Sequence, residues 1–359
     1  MSALGARIAR LIAAQGPISI AEYMTLALHD PRDGYYATRD PLGEGGDFIT
    51  APEVSQMFGE LLGLWLAQAW HDQGKPARPR LIELGPGRGT LMRDALRATK
   101  LMPDFREQLE VVLVELSPVL RRAQEAMLQD CGVPVRWVES FGAVAADRPG
   151  FVIANEFFDA LPIRQYVRQG RGWFERMVTA DARSALSFAL APVPLPAMAV
   201  PASREDAPEG GVYEVCAAGE ALAEQIAQAI AARGGAALIV DYGYDAPGFG
   251  ETLQAMRRHA FADVLGEPGE NDLTAHVDFT ALGDAAVRGG ASVCGPVEQG
   301  DLLLDLGIYP RSDALAARNP DMRDTLTAQI VRLCNPAQMG TLFKALAIVP
   351  KTAPTPPGF

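Results

Sequence analysis

The sequence predicts an α/β fold, an open and mostly parallel sheet with helices on both faces, and three observations support it. From residue 81 onward, apolar runs of strand length alternate with longer stretches of helical period. The first run, 81–84, enters a glycine-rich turn that opens a helix at Thr90. Two further runs end in acidic or amide side chains, at the edge where such sheets bind ligands.

Composition and charge fit this class and exclude several others. The chain has 359 residues, enough for one doubly wound domain with a sizeable insertion or cap, and its 48% hydrophobic and 21% charged residues are ordinary for a soluble protein. A net charge of −12 would repel a phosphate backbone, so nucleic acid is not an expected partner. The four cysteines lack metal-ligand spacing, so no metal is expected and the thiols are typical of a reducing compartment.

The cellular location is predicted from the absence of targeting signals. No run approaches the ~18 apolar residues that span a membrane, so no membrane insertion is expected. The first 15 residues carry one serine and two arginines, whereas a transit peptide would be rich in both. A cytoplasmic location is therefore predicted, with a mitochondrial location as the alternative.

The first part of the chain, 1–75, is predicted to form a helical cap with a lid loop. A first helix buries an apolar stripe made of Leu4, Ile8, Leu11 and Ile12. A second helix, 20–28, begins at a capping box formed by Ser19 and Glu22. A long loop rich in glycine, aromatics and acids then precedes a helix over 53–70, and it is either a lid over a ligand or part of ordinary packing. The lid or substrate candidates are Tyr35, Asp47 and Thr50.

The turn after the first strand contains Gly85, Pro86, Gly87 and Gly89. Glycine has no Cβ, so such a turn brings backbone N–H groups against a ligand, and a nucleotide-type cofactor is the expected occupant. A dinucleotide fingerprint would need glycine where Thr90 stands. Glu83, just before the turn, is placed to accept from a charged amine of a cofactor, directly or through water. A plain strand-to-helix turn is the alternative.

Polar side chains after the next strands complete a predicted ligand site. The second strand, 109–115, ends in Glu115, which is either a ligand for the two hydroxyls of a ribose or a solvated acid. Helix 91–99 precedes it, helix 119–128 and strand 135–138 follow, and Ser140 then lies where adenine would sit. The fourth strand, 151–154, runs into Asn155, Glu156 and Asp159, interleaved with phenylalanines. Burying these groups is costly without partners, and a cationic substrate would supply them.

The second half of the chain continues the sheet after an insertion. The insertion, 163–215, is predicted to contain a hairpin over 163–178 and a strand over 186–200, on the substrate side of the pocket. Tyr242 follows the fifth strand and His276 lies in a long connection over 253–278, and both are candidate pocket residues. The other elements predicted here are helices over 217–232, 278–289, 311–318 and 321–334 and strands over 236–241, 291–297 and 342–349.

These elements predict five segments. They are the cap over 1–75, a first part of the sheet domain over 76–162, the insertion over 163–215, a second part of the sheet domain over 216–350, and a flexible tail over 351–359.

Several stretches of the sequence resemble one known family. They are GDFITAPEVSQMFGE over 46–60, ELGPGRGTLM over 83–92, NEFFDALP over 155–162, DLTAHVDF over 272–279 and MGTLFK over 339–344. The family is MidA, class I methyltransferases that use S-adenosylmethionine (SAM). The resemblance implies a Rossmann-like sheet of seven mostly parallel strands with an antiparallel last strand, and SAM as cofactor. It also implies a protein substrate with an exposed arginine, since eukaryotic members are mitochondrial assembly factors of respiratory complex I understood to methylate an arginine of one subunit.

The resemblance gives roles to the candidate residues. A guanidinium stays protonated at neutral pH and is a poor nucleophile, so a methyltransferase that acts on it needs carboxylates to grip it. Glu156 and Asp159 are the catalytic candidates, and Asn155 orients that pair or touches the cofactor; capping of the following turn is the alternative for the two acids. The cofactor-binding candidates are Glu83, Gly85, Pro86, Gly87, Gly89, Glu115, Ser140 and Asn155.

Other functions stay open at the level of sequence. A non-catalytic assembly factor would keep the same SAM pocket as a scaffold. A methyltransferase of another amine substrate would use the same two carboxylates. A dinucleotide-dependent oxidoreductase shares the strand, the turn and the ribose acid, but Thr90 argues against it. A homodimer formed through the insertion is a further expectation.

Overall fold

The computed structural model describes residues 2–38, 50–196, 207–246 and 248–359. The helices within these ranges are α1 (Ala3–Gln15), α2 (Ile20–His29), α3 (Tyr35–Thr38), α4 (Ala51–Val54), α5 (Gln56–Asp72), α6 (Thr90–Ala98), α7 (Pro103–Arg106), α8 (Pro118–Leu128), α9 (Ala217–Arg233), α10 (Phe279–Arg288), α11 (Gln299–Asp305), α12 (Ile308–Arg318), α13 (Arg323–Cys334) and α14 (Met339–Leu342). The strands are β1 (Ile18–Ser19), β2 (Arg80–Leu84), β3 (Glu110–Val114), β4 (Val135–Val138), β5 (Gly150–Asn155), β6 (Arg164–Gln169), β7 (Gly172–Ala180), β8 (Leu186–Leu190), β9 (Val212–Val215), β10 (Gly235–Tyr244), β11 (Gln254–Arg257), β12 (Ala260–Ala262), β13 (Asp272–Thr274), β14 (Val277–Asp278), β15 (Ser292–Glu298) and β16 (Phe343–Val349).

The largest sheet has the strand order β15-β16-β10-β5-β2-β3-β4, with β14 added at the end of β10. Strand β16 is antiparallel to both of its neighbours, and the other pairings in this sheet are parallel. The predicted α/β class and the antiparallel last strand are confirmed. The count of seven strands omitted β14, because its two residues are too few to show a periodic pattern.

The main sheet is buried on both faces, which explains its nearly continuous apolar runs. All five residues of β2 are buried, as expected for a central strand of a parallel sheet. One face packs against α5, α6 and the C-terminal helices around Trp65, Trp70 and Phe105. The other packs against α9 and α10 around Ile226 and Phe279. Helices on both faces leave the carboxyl ends of β2, β3, β5 and β10 at one edge of the sheet.

A second body, which we call the satellite, comprises α1, α2, α3 and two small sheets. One sheet has the order β1-β7-β6-β9 with β8 paired to β7, and the other has the order β12-β11-β13. The predicted hairpin is confirmed by the pairing of Gln169 with Gly172. Side chains from the helices and from both small sheets share one core, which includes Leu4, Tyr23, Val178 and Leu273. The N-terminal helices and the insertion therefore pack together.

Two predictions for this body need correction. The connection over 253–278 is not a plain loop, because β11, β12, β13 and β14 lie within it. Its strands were missed because each has only two to four residues. The strand predicted over 186–200 ends at Leu190 as β8, and its last residues, 197–200, lie outside the described residues.

The N-terminal helices follow the prediction in most respects. Ser19 and Glu22 form the predicted capping box, with the Glu22 N–H donating to Ser19 Oγ at 3.1 Å and the Ser19 N–H donating to Glu22 Oε2 at 2.8 Å. Leu11 was wrongly placed in the buried stripe, since it is 37% exposed. The single helix predicted over 53–70 is two helices, because Ser55 is extended and caps α5 by accepting from the Met57 N–H at 3.2 Å. Helix α11 and the four-residue helices α3, α7 and α14 were not predicted.

The C-terminal segment is packed against the main sheet domain, so the prediction of a flexible tail was wrong. Trp65 Nε1 donates to the Pro357 carbonyl at 3.0 Å, and the Trp65 and Phe359 rings meet edge to face with centroids 6.1 Å apart. Pro356 is buried. The proline content indicated a chain that cannot form a helix, but it did not show that the segment covers an aromatic side chain of α5.

Candidate active site

A cavity of about 900 Å³ opens at the carboxyl ends of β2, β3, β5 and β10. Its size is that of a pocket for a cofactor-sized ligand. Most of the predicted site residues line it, namely Thr50, Glu83, Gly85, Pro86, Gly87, Glu115, Ser140, Asn155, Glu156, Asp159 and Tyr242. The sheet edge thus brings together side chains from segments far apart in sequence.

Three predicted site residues of the described part of the chain do not line the cavity, and a fourth lies outside the described residues. Gly89 does not line the cavity; it is the left-handed N-cap of α6, with φ of 85°. Tyr35 is fully buried in the satellite core, so its place at the cavity is taken by the next residue, Tyr36. His276 packs behind the cavity, its ring edge to face with that of Tyr242 at 5.3 Å. Asp47 lies outside the described residues.

The glycine turn lies directly against the loop that follows β5. Gly85 has φ of 59° and donates its N–H to the Val114 carbonyl at 3.1 Å. A Cβ at this position would lie 2.7 Å from Cδ2 of Phe157, closer than carbon atoms approach. The backbone angle favours glycine at this position, and the contact with Phe157 leaves no room for a Cβ.

Glu83 is a buried carboxylate with one oxygen left unpaired. The residue is 3% exposed, and its Oε2 has no hydrogen-bond partner among the described residues. Burial, and secondarily the charge of Glu115, raise the pKa of Glu83 to about 8. A nearby cation would favour the ionised form of this buried carboxyl group and offset the cost of its burial. The position therefore fits the ammonium group of a SAM molecule.

Glu115 is held by a network that includes a residue missed from the sequence. Its Oε1 accepts from the Ser117 N–H at 2.7 Å and its Oε2 accepts from Gln124 Nε2 at 3.0 Å. Gln124 is fully buried, and it also donates to the Gly87 carbonyl at 2.7 Å and accepts from Trp137 Nε1 at 2.8 Å. Gln124 thus fixes Glu115 relative to the glycine turn. Its polarity inside an otherwise amphipathic α8 was the only signal in the sequence.

Glu156 and Asp159 lie in the loop that follows β5. Glu156 has a left-handed backbone with φ of 49°, and its Oε1 accepts from the Ala51 N–H at 3.0 Å and from Asn155 Nδ2 at 3.2 Å. Burial raises the pKa of Glu156 to about 7, although the Ala51 N–H opposes this. Asp159 is 6% exposed and burial raises its pKa to about 6, while its Oδ1 has no partner among the described residues. The loop therefore presents two desolvated carboxyl groups at the cavity.

Tyr36 and Asp272 extend this wall from the satellite. The Tyr36 hydroxyl donates to Asp272 Oδ1 at 2.9 Å, and both residues line the cavity. Burial, together with the charges of Asp272 and Asp159, raises the pKa of the Tyr36 hydroxyl well above its ordinary value. Tyr36 therefore stays a neutral hydrogen-bond donor beside the carboxylates.

Helix α4 contacts two separate segments that line the cavity. Glu53, which was not singled out from the sequence, accepts at 2.6 Å from Oγ1 of Thr90, the first residue of α6. Two residues earlier, the Ala51 N–H donates to Glu156. One short helix thus contacts both the end of the glycine turn and the loop with the paired carboxylates.

The cavity is strongly acidic. Seven carboxyl groups line its described part, those of Glu53, Glu83, Glu115, Glu139, Glu156, Asp159 and Asp272. The lining side chains that can carry positive charge in the same part are those of Arg88 and His29, and burial lowers the pKa of His29, which favours its neutral form. Such a surface attracts cations and repels anions such as a pyrophosphate.

The fold and the site define a class I SAM-dependent methyltransferase. An open sheet with one antiparallel strand, a glycine turn that follows an unpaired buried acid, and a second acid after the next strand are all present. Residues 61–297 match the family Methyltransf_28, described as "Putative S-adenosyl-L-methionine-dependent methyltransferase". The chain belongs to this MidA-like family, and it is an enzyme that uses SAM.

Named relatives and a solved structure support this assignment. A rat protein, "Protein arginine methyltransferase NDUFAF7, mitochondrial", is 38% identical over 94% of this chain and 82% of its own length. Its zebrafish counterpart is 38% identical over 95% of this chain and 86% of its own length. A crystal structure of a superfamily member from Burkholderia thailandensis, bound to S-adenosyl-homocysteine (SAH), is 31% identical with a TM-score of 0.87, covering 99% of this chain and 94% of that one.

The part of the chain that the structure describes contains no helix with the length and hydrophobicity needed to cross a membrane.

Proposed function

We propose that the enzyme transfers the methyl group of SAM to a guanidinium nitrogen of a protein arginine, with SAH as the leaving group and the proton that the nitrogen loses passing to one of the two carboxylates beside it. The observation that carries the proposal is the pair Glu156 and Asp159, two desolvated carboxyl groups on one loop of an acidic cavity. The relatives named protein arginine methyltransferases support the same acceptor. A guanidinium is the side chain that pairs best with two neighbouring carboxylates, because its N–H groups form a planar fork.

The acceptor side holds and orients the guanidinium. The charge of a guanidinium is delocalised, so its nitrogens are poor nucleophiles until carboxylates draw the positive charge to one side. Glu156 Oε1 is already bound by Ala51 and Asn155, so the guanidinium pairs with the second oxygen of Glu156 and with the unpaired Oδ1 of Asp159. Fixing the nucleophilic nitrogen in this way removes part of the entropy barrier of the reaction.

The cofactor side binds SAM, which supplies a methyl group activated by a sulfonium. Glu83 would pair with its ammonium group, and the backbone of Gly85, Pro86 and Gly87, which lines the cavity, would follow the methionine part. Glu115, which Gln124 holds, would accept from the ribose hydroxyls. Ser140 and Asn155 also line the cavity; Ser140 would contact the adenine, and Asn155 would lie between the cofactor and the acceptor. Gly89 acts indirectly, because it starts α6.

Partners and location are part of the same proposal. The satellite, which contains the insertion over 163–215, forms the docking side for the protein substrate, and Tyr36, Tyr242 and Thr50 line the path of the arginine. A subunit of respiratory complex I is the first target to test, as the family resemblance implies. The homodimer and the cytoplasmic location stay predictions; the rat relative is named mitochondrial.

Methyl transfer to a peptide tests the proposal. The purified enzyme is incubated with SAM labelled in the methyl group and with a library of arginine peptides, and with matched peptides that carry lysine instead. We expect the label on arginine, identified by fragment masses in mass spectrometry, and none on lysine. Label on lysine alone would replace arginine by another amine substrate.

A further inference from the structure

Asp241 is a buried carboxylate at the centre of the acceptor side that plays no part in the roles assigned so far. It is fully buried in β10, three residues before that strand ends at Tyr244. Its Oδ2 accepts from three consecutive backbone N–H groups, those of Phe157 at 3.1 Å, Phe158 at 2.9 Å and Asp159 at 3.2 Å. Its Oδ1 accepts from its neighbour, the Tyr242 N–H, at 3.0 Å. Four backbone amides therefore surround one side chain.

The sheet places Asp241 beside this loop. Strands β5 and β10 are parallel neighbours, with Val240 opposite Asn155, so the next residue of each strand is also adjacent. The Glu156 N–H donates to the Val240 carbonyl at 3.0 Å and continues the ladder by one step. Beyond Glu156 the chain leaves the sheet through a left-handed residue, and its next three N–H groups have no strand to pair with. These three N–H groups donate to the side chain of Asp241 instead.

The loop is bound to this carboxylate through three of its backbone N–H groups. A non-glycine residue with φ of 49° is held in a sparsely populated conformation only when its surroundings fix it. Glu156 lies directly before the three amides that Asp241 binds, and Asp159 is the last of them. Both carboxyl groups that face the acceptor are thus attached to one backbone segment whose N–H groups converge on a single oxygen.

We propose that Asp241 is the positioning residue of the acceptor site: it fixes residues 157–159 so that Glu156 and Asp159 are presented to the cavity as a pair. This role rests on the proposed function, because it gives Asp241 a purpose in acceptor binding and none in cofactor binding. It predicts that removing the Asp241 carboxylate weakens the use of the acceptor much more than the binding of SAH.

Two substitutions separate the hydrogen bonds of Asp241 from its charge. In Asp241→Asn the amide oxygen still accepts from the three loop N–H groups, while its NH₂ group faces the Tyr242 N–H and cannot accept from it. In Asp241→Ala all four acceptor contacts are lost. Asp245→Asn is the matched control, since Asp245 is an exposed acid just beyond the same strand and does not line the cavity.

The first readout does not depend on the reaction. Amide hydrogen exchange is measured by mass spectrometry on the purified protein with SAH present. We expect slow exchange at residues 157–159 in the wild type, at least about tenfold faster exchange in Asp241→Ala, and near wild-type exchange in Asp241→Asn and Asp245→Asn. Unchanged slow exchange in Asp241→Ala would overturn the proposal. If Asp241→Ala does not fold, the kinetic measurement on Asp241→Asn, described next, tests the proposal.

The second readout is kinetic. We expect kcat/KM for the arginine peptide to fall about 100-fold in Asp241→Ala and about tenfold in Asp241→Asn, while Kd for SAH changes less than about threefold. An equal loss of SAH affinity would overturn the proposal, because it would give Asp241 a general role in the fold. Full activity of both variants would overturn it as well. If the wild type methylates no arginine peptide, the proposed function fails, and the exchange experiment still decides whether Asp241 holds the loop.

Discussion

The two sides of the cavity use the same chemistry, carboxylates that follow parallel strands, but they are assembled over very different sequence distances. On the cofactor side, Glu115 is bound by residues two and nine positions away. On the acceptor side, Glu156 is bound by Ala51, 105 positions away, and Tyr36 binds Asp272, 236 positions away. The hydrogen bonds that hold Glu115 are thus local, whereas the acceptor side takes its lining side chains from both the satellite and the sheet.

This difference indicates how the two functions of the site should respond to change. A local βαβ unit keeps its geometry when distant contacts are altered, because its hydrogen bonds lie within one segment. The acceptor side includes Tyr36 and Asp272 of the satellite. A change in the satellite therefore moves Asp272 relative to Glu156 and Asp159. We therefore expect that many substitutions impair methyl transfer while SAH binding survives, and that the reverse is rare.

The largest expected effects come from exchanging single carboxylates on the two sides. Glu156→Gln and Asp159→Asn should each lower kcat for an arginine peptide about 100- to 1000-fold, because each removes a charged partner of the guanidinium in a desolvated site. Their Kd for SAH should stay within about threefold of the wild type.

Glu83→Gln should instead weaken SAH binding about 30-fold through loss of a charge-assisted hydrogen bond. Initial-rate kinetics and calorimetry measure both quantities.

Glu125→Gln is the control for these variants, because it makes the same chemical change at an exposed position of α8. If Glu156→Gln lost SAH affinity as strongly as activity, the division of the cavity into two sides would be wrong. If it lost methyl transfer but kept the biological effect of the gene, the protein would act as a SAM-binding scaffold.

A smaller effect follows from the raised pKa of Glu83. Burial and Glu115 raise this pKa from 4.5 to about 8, so the carboxyl group contributes stability below its unfolded pKa and that contribution is lost as the pH rises through about 8. The ammonium group of SAM pairs with the ionised form. SAM binding at about pH 7 should therefore release most of one proton from Glu83.

Calorimetry of SAM binding in two buffers with different ionisation enthalpies measures that release. Glu83→Gln should abolish it. A release that persists in this variant would come from another group, and Glu156, with a pKa of about 7, would be the first to test. The cofactor side would then depend on an acid that we assign to the acceptor.

The sequence could predict the cofactor side because its signals are local. An apolar strand, a glycine turn and a strand-end acid all lie within residues 81–115, and sheet geometry brings them to one edge. The α/β class was predictable for the same reason, since each strand and helix has its own periodic pattern. Gln124 was missed because one polar residue on a helix gives no sign that it is buried.

The acceptor side was only partly predictable. Glu156 and Asp159 stood out as acids beside phenylalanines after a strand. Asp241 did not, because an acid at a strand end is common and its three loop partners lie over 80 positions earlier. Tyr35 was chosen over Tyr36 because adjacent residues in an irregular segment have no periodicity to show which one is buried. Long-range packing decides such cases.

The smallest effect we predict concerns the link between the two sides. Thr90 begins α6 next to the glycine turn and donates to Glu53 at 2.6 Å, and the helix that carries Glu53 also supplies the Ala51 N–H to Glu156. Thr90→Val removes the hydroxyl with little change of shape, so α4 loses its attachment to the cofactor side. We expect Kd for SAH and KM for the arginine peptide each to rise about fivefold, as for one lost hydrogen bond. Thr90→Ser keeps the hydroxyl and should restore both values. If only SAH binding changed, α4 would belong to the cofactor side alone, and the two sides would be independent.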